Sequence, residues 1–297
     1  MQPWVLALVS LLWIIPKGSI LCHGNESLEG RFSFSLSTFD PSGKIGQVER
    51  AFMASSLGTP IVAVVKEDCI LLASPQILPS PLMEDDGTAR FAAVTPHIAI
   101  GHSGISADGR VLVAAAQQLA VEHAYTYDET IPIDLFLEEM ALLYQEYTMT
   151  PGVRPFGATL LVAYMPAGNG SNNNNKAKPQ LFRLDPSGSV ITYDDNVAII
   201  NGRFLESRSG LESSLQAIGT SVNTTIAQDR QRLSQLLQEV VSHKEDSRKL
   251  ASSIAEADNM VALPSAIITA SLSRGSGLDI ERRKLSSPAR TDASSKP

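Results

Sequence analysis

Phe32, Phe34 and Leu36 alternate with Ser33, Ser35 and Ser37. That period of two puts the apolar side chains on one face and predicts a strand. Asp40-Pro41-Ser42-Gly43 follows; proline presets φ and glycine admits positive φ, so these residues predict a tight turn. Ile45, Val48 and Phe52 then recur at helical spacing and predict a helix. The apolar runs 61–65 and 70–73 flank Lys66-Glu67-Asp68 and read as an antiparallel hairpin. Residues 74–86 hold Pro75, Pro79 and Pro81 with little periodicity, and read as a loop or an irregular edge.

Residues 95–101 predict a short strand. Asp108 then opens a helix with Val111, Leu112, Ala115 and Leu119 on its apolar face. Asp134 is expected to cap a second, whose face holds Leu135, Leu137, Met140, Leu143 and Tyr144. Residues 157–164 predict a buried strand, and the asparagine-rich 168–178 a solvated loop. Residues 180–184 and 189–193 flank the turn Asp185-Pro186-Ser187-Gly188 and predict a strand pair. Leu211, Leu215, Ile218 and Val222 mark one helical stretch. Leu233, Leu236, Leu237, Val240 and Val241 mark another, reaching about residue 256. Residues 266–272 predict a last strand, and the composition beyond about 285 predicts a disordered tail, 285–297. Strands, two helices, strands, two helices and a strand imply an α/β (α+β) protein. Two stacked sheets with helices outside, a four-layer αββα sandwich, would bury these faces.

With 43% hydrophobic and 19% charged residues the body is that of an ordinary globular domain. A net charge of −7 supplies no positive field for nucleic acid. Arg282-Arg283-Lys284 reads as part of a solvated terminus, with a docking patch as the other reading. Cys22 and Cys69 are the two cysteines; Cys69 sits in an apolar run and reads as a small buried hydrophobe. No His/Cys cluster has zinc-ligand spacing, and Glu84-Asp85-Asp86 reads as a solvated loop, so neither metal nor cofactor is expected. His97, His102 and His123 are scattered, and Ser187 has no G-x-S-x-G setting.

Residues 4–15 are almost wholly apolar, too short a run for a stable membrane span, and read as the core of a signal-like leader, 1–24. An added helix or an extended start are the other readings. Asn25, Asn169 and Asn223 open glycosylation triplets, which fit a lumenal route.

Several segments together resemble a known family. They are the strand, Asp-Pro-Ser-Gly turn and helix at 31–52, with Gln47-Val48-Glu49; Ser103-Gly104 with Asp108 and Arg110-Val111-Leu112; Glu146-Tyr147-Thr148 with Gly152-Val153-Arg154-Pro155-Phe156-Gly157; and Asp185 to Gly188. In this order they are similar to the proteasome alpha-type subunits, and the run 32–39 resembles type 2. The likeness spans about residues 30–225 and returns near 264–284, so residues 25–284 are expected to form one such domain. The resemblance implies an N-terminal-nucleophile hydrolase fold without the chemistry. The chain would be a non-catalytic member of the outer ring of the 20S core in ubiquitin-dependent protein degradation, in cytoplasm and nucleus. Its partners would be other alpha subunits, beta subunits and a regulatory ATPase or activator. Phe32, Phe34, Phe39, Pro41 and Gly43 would form the gate and turn scaffold, Arg90 would dock an activator, and Arg154 and Phe156 would serve ring packing. Plain fold maintenance stands beside these roles for Phe34, Gly43 and Phe156.

A catalytic relative needs a threonine freed at its N-terminus, the amine serving as base for the hydroxyl. Gly58-Thr59 permits the alternative of an autoprocessed threonine hydrolase. Against it, Pro60 follows, and cutting there would discard the segment that carries the likeness. The supporting acid and lysine should fall near Ser74-Pro75 and Arg90, and arginine is too basic to shuttle protons. The chain departs from the family at Arg50, where tyrosine is usual, at Arg90, where lysine is usual, and in a Pro-rich stretch replacing a lysine-rich one. Residues 228–260 read as a helical insertion. A further alternative is a repurposed subunit routed by the leader to a secretory or plastid-related compartment.

Overall fold

The structure, a computed structural model, describes residues 38–40, 42–77, 90–166, 178–200, 208–221, 224–252 and 264–284. The leader, Phe32, Phe34, Pro41, the 84–86 acids, the three sequon asparagines, Val222 and the tail lie outside them.

One five-stranded sheet contains β1 (Ile61–Val65), β2 (Cys69–Ile77), β8 (Val197–Ile200), β9 (Pro264–Ser273) and β10 (Gly277–Lys284), in the order β10-β9-β2-β1-β8. The other runs β3-β4-β5-β6-β7, from β3 (Phe91–Ala93), β4 (Ile98–Gly104), β5 (Ala158–Tyr164), β6 (Gln180–Leu184) and β7 (Val190–Tyr193). All pairings are antiparallel. The helices are α1 (Gly46–Ser56), α2 (Ser106–Tyr127), α3 (Ile133–Met149), α4 (Arg208–Thr220) and α5 (Ile226–Ser252).

Strand alternation builds the layers. Ile61 and Ala63 of β1 and Ile70 and Leu72 of β2 point inward to meet Phe91, Ala99, Leu161 and Ala163 of the opposite sheet. Their neighbours Val62, Val64 and Leu71 point outward, under Leu211, Leu215 and Ile218 of α4 and Leu233 and Leu237 of α5. On the far side Ile98, Ile100, Leu160 and Val162 lie under Leu112 and Ala116 of α2 and Phe136, Met140 and Tyr144 of α3. Each fully buried Leu, Ile or Phe here contributes about 1.5–3 kcal/mol. The expected αββα sandwich is the observed one.

Several local expectations are corrected. Asp134 does not cap α3: Pro132 is the N-cap, without a side-chain cap bond, and Asp134 stands in the first turn, where its charge complements the helix dipole. Asp108 likewise lies inside the first turn of α2, its carboxylate turned to tertiary partners. Val111 is exposed, because the buried face of α2 runs through Leu112, Ala116 and Ala120. The strand expected at 95–101 is displaced to Ile98–Gly104, since Thr95 closes a turn by bonding the Ile98 amide. The strand after α3 begins at Ala158. β2 runs on through Pro75 to Ile77. Its pairing with β1 ends at Ala73 while β9 continues alongside, so proline sits where one flank is open. Arg282-Arg283-Lys284 ends strand β10, paired with Ala266, Ile267 and Ile268. β3, β8 and β10 were not anticipated; β10 carries an alternating pattern that its charges obscure.

Candidate functional site

Thr59 lies between the end of α1 and the start of β1, at one end of the stacked sheets. Helix α1 closes with the amides of Leu57 and Gly58 donating to Ala54 and Ser55 carbonyls. Its buried residues are small, Ala51 and Ser55, while Val48 and Phe52 are half-buried. Small residues let backbones approach. Gly104, at φ +117°, lies so near that a Cβ there would sit 2.9 Å from the Ala158 Cα and 3.0 Å from the Ser55 Cα, and would collide with the Gly157 carbonyl. Helix α1 is thereby seated across the ends of β4 and β5.

The Thr59 nitrogen is in peptide linkage to Gly58, and Pro60 follows. Ser103 Oγ donates to the Thr59 carbonyl, and Ser74 Oγ donates to the Pro60 carbonyl at 2.9 Å. Thr59 Oγ1 is buried and has no hydrogen-bond partner. A hydroxyl without a neighbouring base is a poor nucleophile. His102 does not supply one. One residue along β4 from Ser103, it points to the opposite face, its ring against Gly109. Burial, then the charges of Arg90 and Arg110, pushes its pKa down to about 4, so the ring is neutral. Arg90, half-buried before β3, donates from Nε to Gln76 Oε1 at 3.0 Å. Among the described residues no three His, Cys, Asp or Glu side chains are placed to hold a metal ion, and no helix is long and apolar enough to cross a membrane.

Arg154 and Phe156 have different surroundings. Arg154 forks onto Asp108, Nη1 to Oδ2 at 2.6 Å and Nη2 to Oδ1 at 2.7 Å, with its side chain 61% exposed. Phe156 is buried, its ring 4.3 Å from that of Tyr147 and edge-on to Tyr144 at 5.6 Å. Phe39 is 64% exposed beside the Asp40–Gly43 turn, where Gly43 has φ +80°.

Sequence reasoning missed the cluster that roots α5. Lys66 Nζ, at the end of β1, pairs with the buried Asp229 Oδ2. Thr224 Oγ1 donates to the same oxygen at 2.9 Å and lies 3.0 Å from Ser221 Oγ. The next residue, Arg230, bonds Ser271 Oγ of β9, and Asp279 of β10 through carbonyl (2.9 Å) and carboxylate (2.8 Å). Asp229-Arg230 beginning a charged helix was visible, but apart from Thr224 their partners lie more than forty residues away. Cys69 is buried nearby, and burial raises its thiol pKa.

A family profile described as "Proteasome subunit" matches residues 55–214. The chain is 36% identical over 199 residues to "Proteasome subunit alpha type-2" of Drosophila melanogaster, covering 65% of this chain and 81% of the relative. It is 35% identical over 201 residues to the protein of the same name from Oryza sativa subsp. indica, covering 66% and 82%. With that of Trypanosoma brucei brucei it shares 38% over 161 residues, covering 54% and 66%. The αββα layers and these likenesses agree: the chain belongs to the proteasome subunit family, as a non-catalytic alpha-type subunit of the 20S core similar to type 2.

Proposed function

We propose that this subunit sits in the outer ring of a 20S core, beside other alpha subunits and against a beta ring, in cytoplasm and nucleus. There the segment before the Asp40–Gly43 turn helps gate substrate entry. Phe39, Pro41 and Gly43 shape that exit from α1, and Phe32 and Phe34 belong to the gating segment. Arg90 receives the C-terminal carboxylate of a regulatory ATPase or activator, with its guanidinium shared with Gln76. Arg154 presents an exposed edge to a neighbouring subunit, and Phe156 keeps that loop packed.

The observation that carries this reading is the seating of α1 across the Thr59 end of the sandwich. Thr59 Oγ1 there has no hydrogen-bonded base, and the chain's value lies in its surfaces. Native purification with identification of co-purifying chains tests it: other alpha and beta subunits should appear, and a lone monomer would refute ring membership. In the assembled particle Thr59→Ala should leave peptidase activity unchanged. A mature chain beginning at Thr59 would instead restore the hydrolase reading. The apolar run 4–15 favours a second reading of localisation, a secretory or plastid-related route; a fluorescent fusion held in the cytosol with its leader intact would remove it.

A further inference from the structure

Gln76 and Arg90 meet across the sandwich. Along β2 the inward face runs through Ile70 and Leu72 to Ser74, whose Oγ donates to the Pro60 carbonyl at 2.9 Å. Gln76 is next in that alternation and is 7% exposed. It lies past Ala73, where pairing with β1 ends, and at the register shift against β9 between Gln76 and Ile77. Irregularities of this kind at a strand end re-aim side chains. Arg90 comes from the other sheet. Phe91 beside it is fully buried in the shared core, and the His102 amide donates to the Arg90 carbonyl at 3.3 Å. Arg90 Nε then donates to Gln76 Oε1 at 3.0 Å. A neutral acceptor suits this place, because a lysine at 76 would present only donors and a like charge.

We propose that Gln76 is a positioning residue for the capture of a carboxylate by Arg90. This inference rests on the docking role given to Arg90 above. A guanidinium is planar, so holding its Nε–H on one acceptor fixes the plane and directs the Nη1–Nη2 end away from Gln76. A carboxylate that reaches Arg90 meets that end through two parallel N–H bonds. The orientation is set before the ligand arrives, which lowers the ordering cost of binding. The resulting discrimination is for a free C-terminal carboxylate against a neutral C-terminal amide. A lysine at 90 would carry a single rotating ammonium, with no plane for Gln76 to fix.

The test uses the assembled core particle carrying the full chain. Octapeptides copied from the C-termini of the same cell's regulatory ATPases are made as free acid and as amide, each with a photoreactive group. Adducts on this chain are read by mass spectrometry against peptide concentration, and adducts on the other alpha subunits report intact rings. The acid should label the natural chain at about tenfold lower concentration than the amide. Gln76→Leu should shrink that preference by about threefold or more, as one hydrogen bond to a charged group is lost, with labelling of the other subunits unchanged. In an Arg90→Lys chain, adding Gln76→Leu should leave the preference as it was. If Arg90→Ala abolishes the preference and Gln76→Leu does not reduce it, the positioning role is refuted and the Arg90 reading stands. A reduction by Gln76→Leu that is equally large in the Arg90→Lys chain also refutes it. If the natural chain shows no preference, or Arg90→Ala keeps it, the docking role of Arg90 fails and the positioning role with it. Should Gln76→Leu not enter the particle, Gln76→Asn decides, since its amide stops one methylene short of Nε. A reduced preference then supports the inference, and an undiminished one overturns it.

Discussion

Arg154 grips Asp108 with two parallel bonds, and the same Asp108 Oδ2 accepts the Gly157 amide at 2.8 Å. One buried carboxylate therefore ties the first turn of α2 to the loop that enters β5. The guanidinium and the Gly157 amide hold its pKa below the usual carboxylate value, against the effect of burial.

The two partners differ in what their loss leaves behind. Asp108→Ala strands the buried Gly157 amide and should cost about 2–3 kcal/mol. Arg154→Ala removes an exposed partner and should cost about 1 kcal/mol or less. Denaturant unfolding of both variants checks this, and equal losses would contradict it.

Lys66 and Asp229 should behave as a buried pair. Their side chains are 12% and 1% exposed, and Asp229 Oδ1 has no partner. Asp229→Ala leaves an ammonium without its counter-charge and should cost about 3–5 kcal/mol. The combined variant Lys66→Met with Asp229→Leu should cost clearly less than the two single changes added together. A double-mutant cycle measures the coupling, and strict additivity would show that the pair does not act as a unit.

Gly104→Ala should lift α1 from the ends of β4 and β5. The residue would have to hold a positive φ and push against Gly157 and Ser55, at a cost of about 1–3 kcal/mol or more. Amide exchange should quicken first across residues 46–56. Natural protection there would mean that α1 and the ends of β4 and β5 are not in tight contact.

Acid stability should follow His102. Its pKa falls from 6.5 unfolded to about 4 folded, so the unfolded chain binds the proton more readily between those values. Stability should decline as pH drops through that window, by about 3 kcal/mol, and then level off for this group. Below it, Asp108, whose folded pKa is depressed, adds its own loss as it protonates. A His102→Gln variant should show a flatter profile between pH 6.5 and 4. An unchanged slope would assign the acid sensitivity elsewhere.

Much of this chain was legible from local pattern. The apolar runs 61–65 and 70–73 around Lys66-Glu67-Asp68 mark a hairpin whatever it packs on, and Asp185 to Gly188 reads as a turn because its geometry is built from adjacent residues. The helix faces at 211–218 and 233–237 were read from spacing alone. Helix starts were not, because Asp108 looks like a local cap and is in fact committed to residues 154 and 157. Of the candidate site, Thr59 was found from its neighbours, while the seating of α1 beside it depends on Gly104 and Gly157, far along the chain.

Sequence by itself determined the periodicities, the two turns and the family. Tertiary structure decided which strands became neighbours, that Pro75 could lie within a strand, and where the charges of Asp108, Asp229 and Arg230 were satisfied. The physical reason is range: φ preferences and side-chain periods act over a few residues. A buried charge, by contrast, must find its partner wherever folding brings one, and nothing in its neighbours names that place.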